Sequence, residues 1–310
     1  MSLRSGKALL VLSIVSRLSV LLVLFFFAFM TDYLNYKKAY DNPRLVELSD
    51  GKLVRVFYET TDTVFSWFGD PLAVAQTNGG MTWSIRVMGV PFTDPIAGLS
   101  VLVKNGGWSL GFGLGLIVPI GVALIFGRVF CSYICPASLL FFSISRIRKV
   151  LEKWLLFPEW KLNRGFAWGI LIGGLAVAFI TGHGVWSLIL PYFAVGQTIF
   201  HGAAMGVLSV AVGSLVLFAV LDLIFGRQFT CRNVCPTGRL LGFIGRKAPI
   251  TIRRDANLCL SACTSCSAVC PFSVNPKLDE TIDCSLCGEC LTVCPTNALS
   301  VGRRCSGGKK

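Results

Sequence analysis

Charge is scarce in this 310-residue chain: 15% of its residues are Asp, Glu, Lys or Arg, where soluble domains carry roughly 25%. That excludes an ordinary cytosolic enzyme. Acids are the scarcer sign, 16 against 29 basic residues. The net +13 fits either a nucleic-acid binder or a membrane protein with basic flanks, so the distribution of charge decides. Histidine occurs only at His183 and His201, and no Cys-x-x-Cys-His is present, which argues against haem. Cysteine is absent from the first 130 residues, whereas nine of the 13 crowd into the last 52. Disulfide scaffolds are short, secreted and evenly spread with cysteine, so this clustering reads as metal ligation.

Hydrophobic residues are abundant, at 54%. Four stretches approach the roughly 20 apolar residues that cross a bilayer: Ala8 to Met30, Trp108 to Phe126, Gly165 to Ile180 and Met205 to Phe225. The first is longer than a signal-peptide core and reads as a retained anchor. Cytoplasmic loops are enriched in Lys and Arg. Residues 31–107 hold seven basic and eight acidic residues, residues 127–164 seven and two, and the chain after Gly226 twelve and five. Both termini are therefore expected on the cytoplasmic side, with 31–107 outside. A nucleic-acid role is disfavoured, because the basic tail has almost no stacking aromatics.

The membrane part repeats. Ile125-Phe126-Gly127-Arg128 leads to Cys131-x-x-x-Cys135-Pro136, and Ile224-Phe225-Gly226-Arg227 leads to Cys231-x-x-x-Cys235-Pro236, with one inserted Thr. Pro91-Phe92 and Pro191-Tyr192 precede the first Cys of each pair by the same interval. Two parallel units place both Cys pairs at one membrane surface. Cys131, Cys135, Cys231 and Cys235 together complete a ligand set for a third cluster or another metal. Two disulfides or a dithiol relay are the alternatives.

The tail carries the strongest chemical signal. Cys284-x-x-Cys287-x-x-Cys290-x-x-x-Cys294-Pro295 is the bacterial ferredoxin run, whose fourth cysteine serves the other cluster of a pair. Cys259-x-x-x-Cys263-x-x-Cys266-x-x-x-Cys270-Pro271 repeats it with one extra residue. The crossed reading assigns Cys259, Cys263, Cys266 and Cys294 to one [4Fe-4S] cluster and Cys284, Cys287, Cys290 and Cys270 to the other. Structural zinc is the competing use of four thiolates. The expected fold is thus an α-helical integral membrane protein with four transmembrane helices in two parallel repeats and a C-terminal ferredoxin-like two-cluster domain. Its segments are 1–30, the first helix; 31–107, an outer loop; 108–254, helices two to four; 255–302, the cluster domain; and 303–310, a basic tail.

With two Cys-x-x-x-Cys-Pro motifs, Thr93-Asp94-Pro95 before the second span, Asp222 before the second Cys pair, and this tail, the chain closely resembles the NapH-type ferredoxin proteins. The methylamine-utilisation ferredoxin-type, NosR and CcoG families share the cysteine pattern more distantly. The resemblance implies a bacterial inner-membrane component that oxidises quinol from the quinone pool and relays electrons to a periplasmic iron–sulfur or cytochrome partner. The Cys259-x-x-x-Cys263 spacing and the long outer loop depart from that pattern. The apolar Pro-aromatic segments Val90 to Val101 and Leu190 to Phe200 are expected as interfacial helices. Their polar groups, Asp94, Gln197 and His201, are candidates for receiving quinol protons, Asp94 having a helix cap as its structural alternative. Arg17 and Asp222 lie inside spans and must find partners; Arg227, Arg128 or Arg17 are those expected for Asp222. An assembly factor that handles metal or reduces thiols, and a redox-sensing regulator, are the other functional classes.

Overall fold

The computed structural model describes residues 3–40, 52–67, 69–82, 84–107, 110–154, 160, 162–163, 165–181, 185–205, 210–278 and 283–303. A 38-residue helix opens the chain (α1, Leu3–Tyr40). Its Gly6–Thr31 segment is long and apolar enough to cross a membrane. The other expected spans are shorter: α5 (Leu110–Phe126) has 17 residues, and α8 (Phe166–Thr181) and α11 (Val210–Phe225) have 16 each. At 1.5 Å per residue α5 reaches about 25 Å, against a hydrocarbon core of about 30 Å. All four helices turn apolar side chains outward, among them Leu22, Ile117, Ile172 and Val216.

Residues 31–107 are not simply a loop. Two helices, α2 (Lys52–Ser66) and α3 (Pro71–Thr77), lead into an antiparallel meander, β1 (Gly79–Met81), β2 (Ser84–Val87) and β3 (Val90–Thr93), with Ile85 opposite Phe92. The first Pro-aromatic segment therefore starts as a strand, not as the expected helix. Pro91 sits on the edge strand β3, where its missing N–H costs no ladder bond. The helix waits for Asp94-Pro95, where Asp94 takes extended backbone, caps the first turn and places Pro at the first helical position of α4 (Pro95–Asn105).

The second Pro-aromatic segment is entirely helical, α10 (Pro191–Met205), entered through the short α9 (Trp186–Ile189). Trp186 donates its Nε1–H to Ser100 Oγ at 2.7 Å, tying α9 to α4 across the two repeats. After α5 come the short α6 (Phe130–Tyr133) and the amphipathic α7 (Ala137–Leu151). After α11 come a π-turn at Thr230–Val234 and then α12 (Pro236–Ile244). The inserted residue of the second repeat is absorbed between Gly226 and Cys231, where Gln228 adopts φ 48°. The two motifs regain phase there: Cys135 N–H bonds the Phe130 carbonyl at 2.9 Å, and Cys235 N–H the Thr230 carbonyl at 2.8 Å.

The tail begins earlier than residue 255. Strand β4 (Ile250–Arg254) pairs antiparallel with β5 (Leu299–Arg303), and this ribbon brackets both cysteine runs. Two short helices, α13 (Ser265–Val269) and α14 (Glu289–Thr292), carry Cys266 and Cys290. Ile252, Leu286, Leu291 and Leu299 form its core, completed by Leu9 of α1. A Cβ on Gly6 would lie 2.8 Å from Leu291 Cβ, so glycine is what lets the start of α1 touch the tail.

Candidate iron–sulfur centres and the adjoining cavity

Four cysteines of the crossed reading, Cys259, Cys263, Cys266 and Cys294, surround one pocket with Lys277 and Leu299. A second pocket is lined by Cys270, Cys284, Cys287 and Cys290, and it shares Cys266 with the first. Each run turns its Pro-terminated end in the same way: Ser273 and Asn297, both three residues after the last Cys, have φ 52° and 53°. Backbone amides point at the sulfurs, as Val274 N–H does at Cys270 Sγ (3.3 Å) and as Leu286 does toward Cys284. The left-handed Leu286 and Gly288 (φ 57° and 83°) shape that turn, producing a nest of N–H groups suited to an anionic centre.

A third pocket draws together Cys131, Cys135, Cys231 and Cys235 with Phe130, Tyr192 and Thr237. The two incomplete pairs therefore share one space, and all four cysteines are free thiols rather than disulfides. Among the described residues no three His, Cys, Asp or Glu side chains converge on a point that would hold a single ion. The donor sets, four sulfurs in the first and third pockets and four besides the shared Cys266 in the second, fit an iron–sulfur group.

Next to the third pocket lies an apolar cavity of 240 Å³, and Phe130 and Tyr192 line both spaces. Its walls come from Val20 and Leu24 of α1, Ile85 and Phe92 of the meander, and Val118, Pro119 and Val122 of α5. Asp94 opens onto it. Its Oδ1 accepts the Ile96 and Ala97 amides at 2.9 and 3.1 Å, so it does cap α4. Its Oδ2 accepts the Tyr192 hydroxyl at 2.8 Å. Tyr192 has one hydroxyl proton, so it accepts in turn from Thr237 Oγ1 at 3.0 Å. Burial pushes the Asp94 carboxyl up to about 6, while the Tyr192 and amide hydrogen bonds pull it back.

Of the other expected proton acceptors, the described one, Gln197, does not join Asp94 in that cavity. Gln197 lies further along α10, about 9 Å beyond Pro191 by helical rise, and is not among the cavity's walls. His201 falls on α10, but its side chain is outside the described residues, as are His183 and Cys305. Asp222 does not pair with Arg227, Arg128 or Arg17. The π-turn brings the Thr230 amide within 2.7 Å of its Oδ1, and Oδ2 has no partner among the described residues. Arg17 instead folds back onto Ser13 and lies 5.3 Å from the Phe142 ring centre. Tyr192, Thr237 and Arg128 carry no signal that separates them from the motifs around them, although each belongs to one: Pro-Tyr, Cys-Pro-Thr and Phe-Gly-Arg.

A family model described as "4Fe-4S binding domain" matches residues 108–153 and 205–255, and a second with the same description matches 282–300. The methylamine utilization ferredoxin-type protein MauN of Paracoccus denitrificans is 30% identical over 158 residues, covering 50% of this chain and 52% of that protein. The ferredoxin-type protein NapH of Escherichia coli is 28% identical over 206 residues, covering 66% and 68%. NapH of Haemophilus influenzae is 27% identical over 195 residues, covering 62% and 65%. The alignment thus spans about half the length of the Paracoccus protein. No solved structure matches the chain.

Proposed function

The chain is a NapH-type ferredoxin-type protein, and on that premise we propose that it oxidises a membrane quinol in the 240 Å³ cavity and passes the electrons along its cysteine pockets. It is an iron–sulfur protein; the finer reading is two [4Fe-4S] groups in the tail, held by the crossed cysteine sets, and a third in the Cys131, Cys135, Cys231 and Cys235 pocket. When bound there, such a group supplies a one-electron acceptor. The description "4Fe-4S binding" falls on both membrane repeats as well as on the tail, which supports the third.

The observation that carries this reading is the common wall of cavity and cysteine pocket, formed by Phe130 and Tyr192. The chain's own residues supply what quinol oxidation requires. Val118, Pro119, Val122 and Phe92 exclude water and accept a flat apolar ring. Asp94 receives a hydroxyl proton as the quinol loses electrons, two protons and two electrons leaving for each quinone formed. Tyr192 holds the carboxylate through Oδ2, and Thr237 holds Tyr192. The order of spaces is then cavity, membrane-edge pocket, inner tail pocket and outer tail pocket.

The outward apolar faces of α1, α5, α8 and α11 support a four-span placement in the inner membrane, with the shorter three crossing where the bilayer thins. Lipid and the quinone pool are then its surroundings, with the termini on the cytoplasmic side and a separate redox protein as terminal acceptor. A photoreactive quinone added to the purified protein tests the cavity: crosslinks mapping to α5 near Val118 and Val122 or to β3 support it. Crosslinks confined to other helices overturn it.

A further inference from the structure

The two repeats carry the same Phe-Gly-Arg, yet the two arginines have different fates. Arg227 is partly exposed, pairs with Glu152 at 3.1 Å and reaches the Ala268 carbonyl at 3.4 Å. Arg128 is completely buried. Its Nη2 donates to the Cys231 carbonyl at 2.6 Å, and Cys131 and Cys235 of the membrane-edge pocket lie beside it. Its Nη1 lies 3.3 Å from the carboxylate of Asp283, the residue before Cys284 of the inner tail pocket. Its guanidinium stands 4.7 Å over the ring of Phe272, which lines that same pocket. Space for it is kept by Gly238, where a Cβ would lie 2.9 Å from the guanidinium carbon. One side chain therefore touches the walls of both pockets.

Among the described residues Asp283 is its ionic partner, and the other oxygen of that carboxylate binds Arg239 at 2.8 Å. The Nε of Arg128 has no partner among the described residues. A buried cation is stabilised by negative charge close to it. Both flanking pockets supply that when filled: four thiolates around an iron–sulfur group make an anionic site, which gains one more negative charge on each one-electron reduction. The cation thus favours the reduced form on both sides.

We propose that Arg128 is the charge that sets the reduction potentials of the membrane-edge pocket and the inner tail pocket together, raising both so that they accept electrons from a quinol. The proposal rests on the functional reading above, because it needs iron–sulfur groups in both pockets. No bond changes at Arg128 and no proton moves: one electron leaves the donor, which is oxidised, and arrives at the pocket, which is reduced. Touching the walls of both pockets, the guanidinium acts on both. It lifts them relative to the donor together. Arg128 is in this sense a positioning residue for electrons.

The experiment is a redox titration of the full-length protein in detergent, followed by electron paramagnetic resonance, with iron and sulfide counted per chain. Arg128→Gln should shift the reduction equilibrium about tenfold toward the oxidised form at both pockets, about 59 mV for one electron. Arg128→Lys keeps the charge but loses the planar fork, and should stay within about threefold of wild type. Asp283→Asn removes a negative charge and should shift the equilibrium the opposite way. Arg227→Gln, at the surface, should leave both potentials unchanged. A merely structural strut would give Arg128→Lys and Arg128→Gln the same effect and Asp283→Asn the same sign, and that pattern overturns the proposal. So do unshifted midpoints in Arg128→Gln with wild-type iron and sulfide. Should Arg128→Gln assemble no iron–sulfur, a lowered or unshifted midpoint in Asp283→Asn rejects the proposal alone. Wild-type protein without iron and sulfide would sink it along with the functional reading.

Discussion

Tyr192 donates its hydroxyl proton to Asp94 Oδ2 at 2.8 Å, joining the start of α10 to the residue that caps α4. The pair ties a carboxylate that lines the apolar cavity to Tyr192, which also lines the four-cysteine pocket. Neither residue is needed there for packing alone, since a phenylalanine and an asparagine would fill the same volumes.

That pairing fixes a pH dependence. Asp94 must be ionised to receive a proton, and burial has raised it to about 6. The initial rate of quinol-driven reduction should therefore climb as pH rises through about 6. In Tyr192→Phe the hydrogen bond that pulls the carboxyl down is lost, so the inflection should move to higher pH. Asp94→Asn should remove the inflection and lower the rate by about 10²- to 10⁴-fold, the usual contribution of a general base. Stopped-flow rates between pH 5 and 8 check this, and an inflection that persists in Asp94→Asn would count against the assignment.

Cysteine replacements separate the three pockets by iron and sulfide content in the full chain. Cys131→Ser and Cys231→Ser should each lower both by about four per chain, and the double variant by no more, because the residues act as one site. Cys284→Ser should remove about four of each from the tail instead. Additive losses for Cys131 and Cys231 would point to separate sites and restore the dithiol reading.

A packing prediction tests the join between α5 and α12. A Cβ on Gly245 would press on the backbone of Gly127 and lie 2.5 Å from the Ala123 carbonyl, atoms that cannot swing away. Gly245→Ala should cost about 1–3 kcal/mol or more. Gly213→Ala in α11, which meets nothing within 4 Å, should be neutral. Thermal unfolding of the two variants in detergent distinguishes them. Equal stability would mean that this helix contact is looser than described.

Reporter fusions check the orientation read from loop charge. A reporter active only in the cytoplasm should give signal after Lys310 and none after Asp50. Signal from the second fusion would reverse the assignment.

The cysteine geometry was legible in the sequence because ligand spacing is a local property. Cys284 to Cys294 announces its own chemistry, and the repeated Phe-Gly-Arg and Cys-x-x-x-Cys-Pro set the two membrane-edge pairs at matching positions. Polar partners contributed by distant segments left no such trace. Thr237 meets Tyr192 only because the first turn of α12 comes against the first turn of α10, and no spacing records a contact 45 residues apart. The meander of residues 79–93 escaped because its strands are three or four residues long and Gly-rich, too short for alternation to show. Asp222 misled for a related reason: charge pairing suggests an arginine, but the π-turn offers a backbone amide that is closer. Gln197 was attractive as a residue type, but on α10 it is Tyr192 that lines the cavity.

The most direct test of the whole account is anaerobic addition of a reduced quinol to the purified, oxidised protein while iron–sulfur signals are followed by electron paramagnetic resonance. The account predicts reduction by quinol in wild type, a strong slowing in Asp94→Asn, and full reduction of both by dithionite. Signals that dithionite reduces readily but that quinol never reduces, at any excess and at pH values above 6, would contradict it.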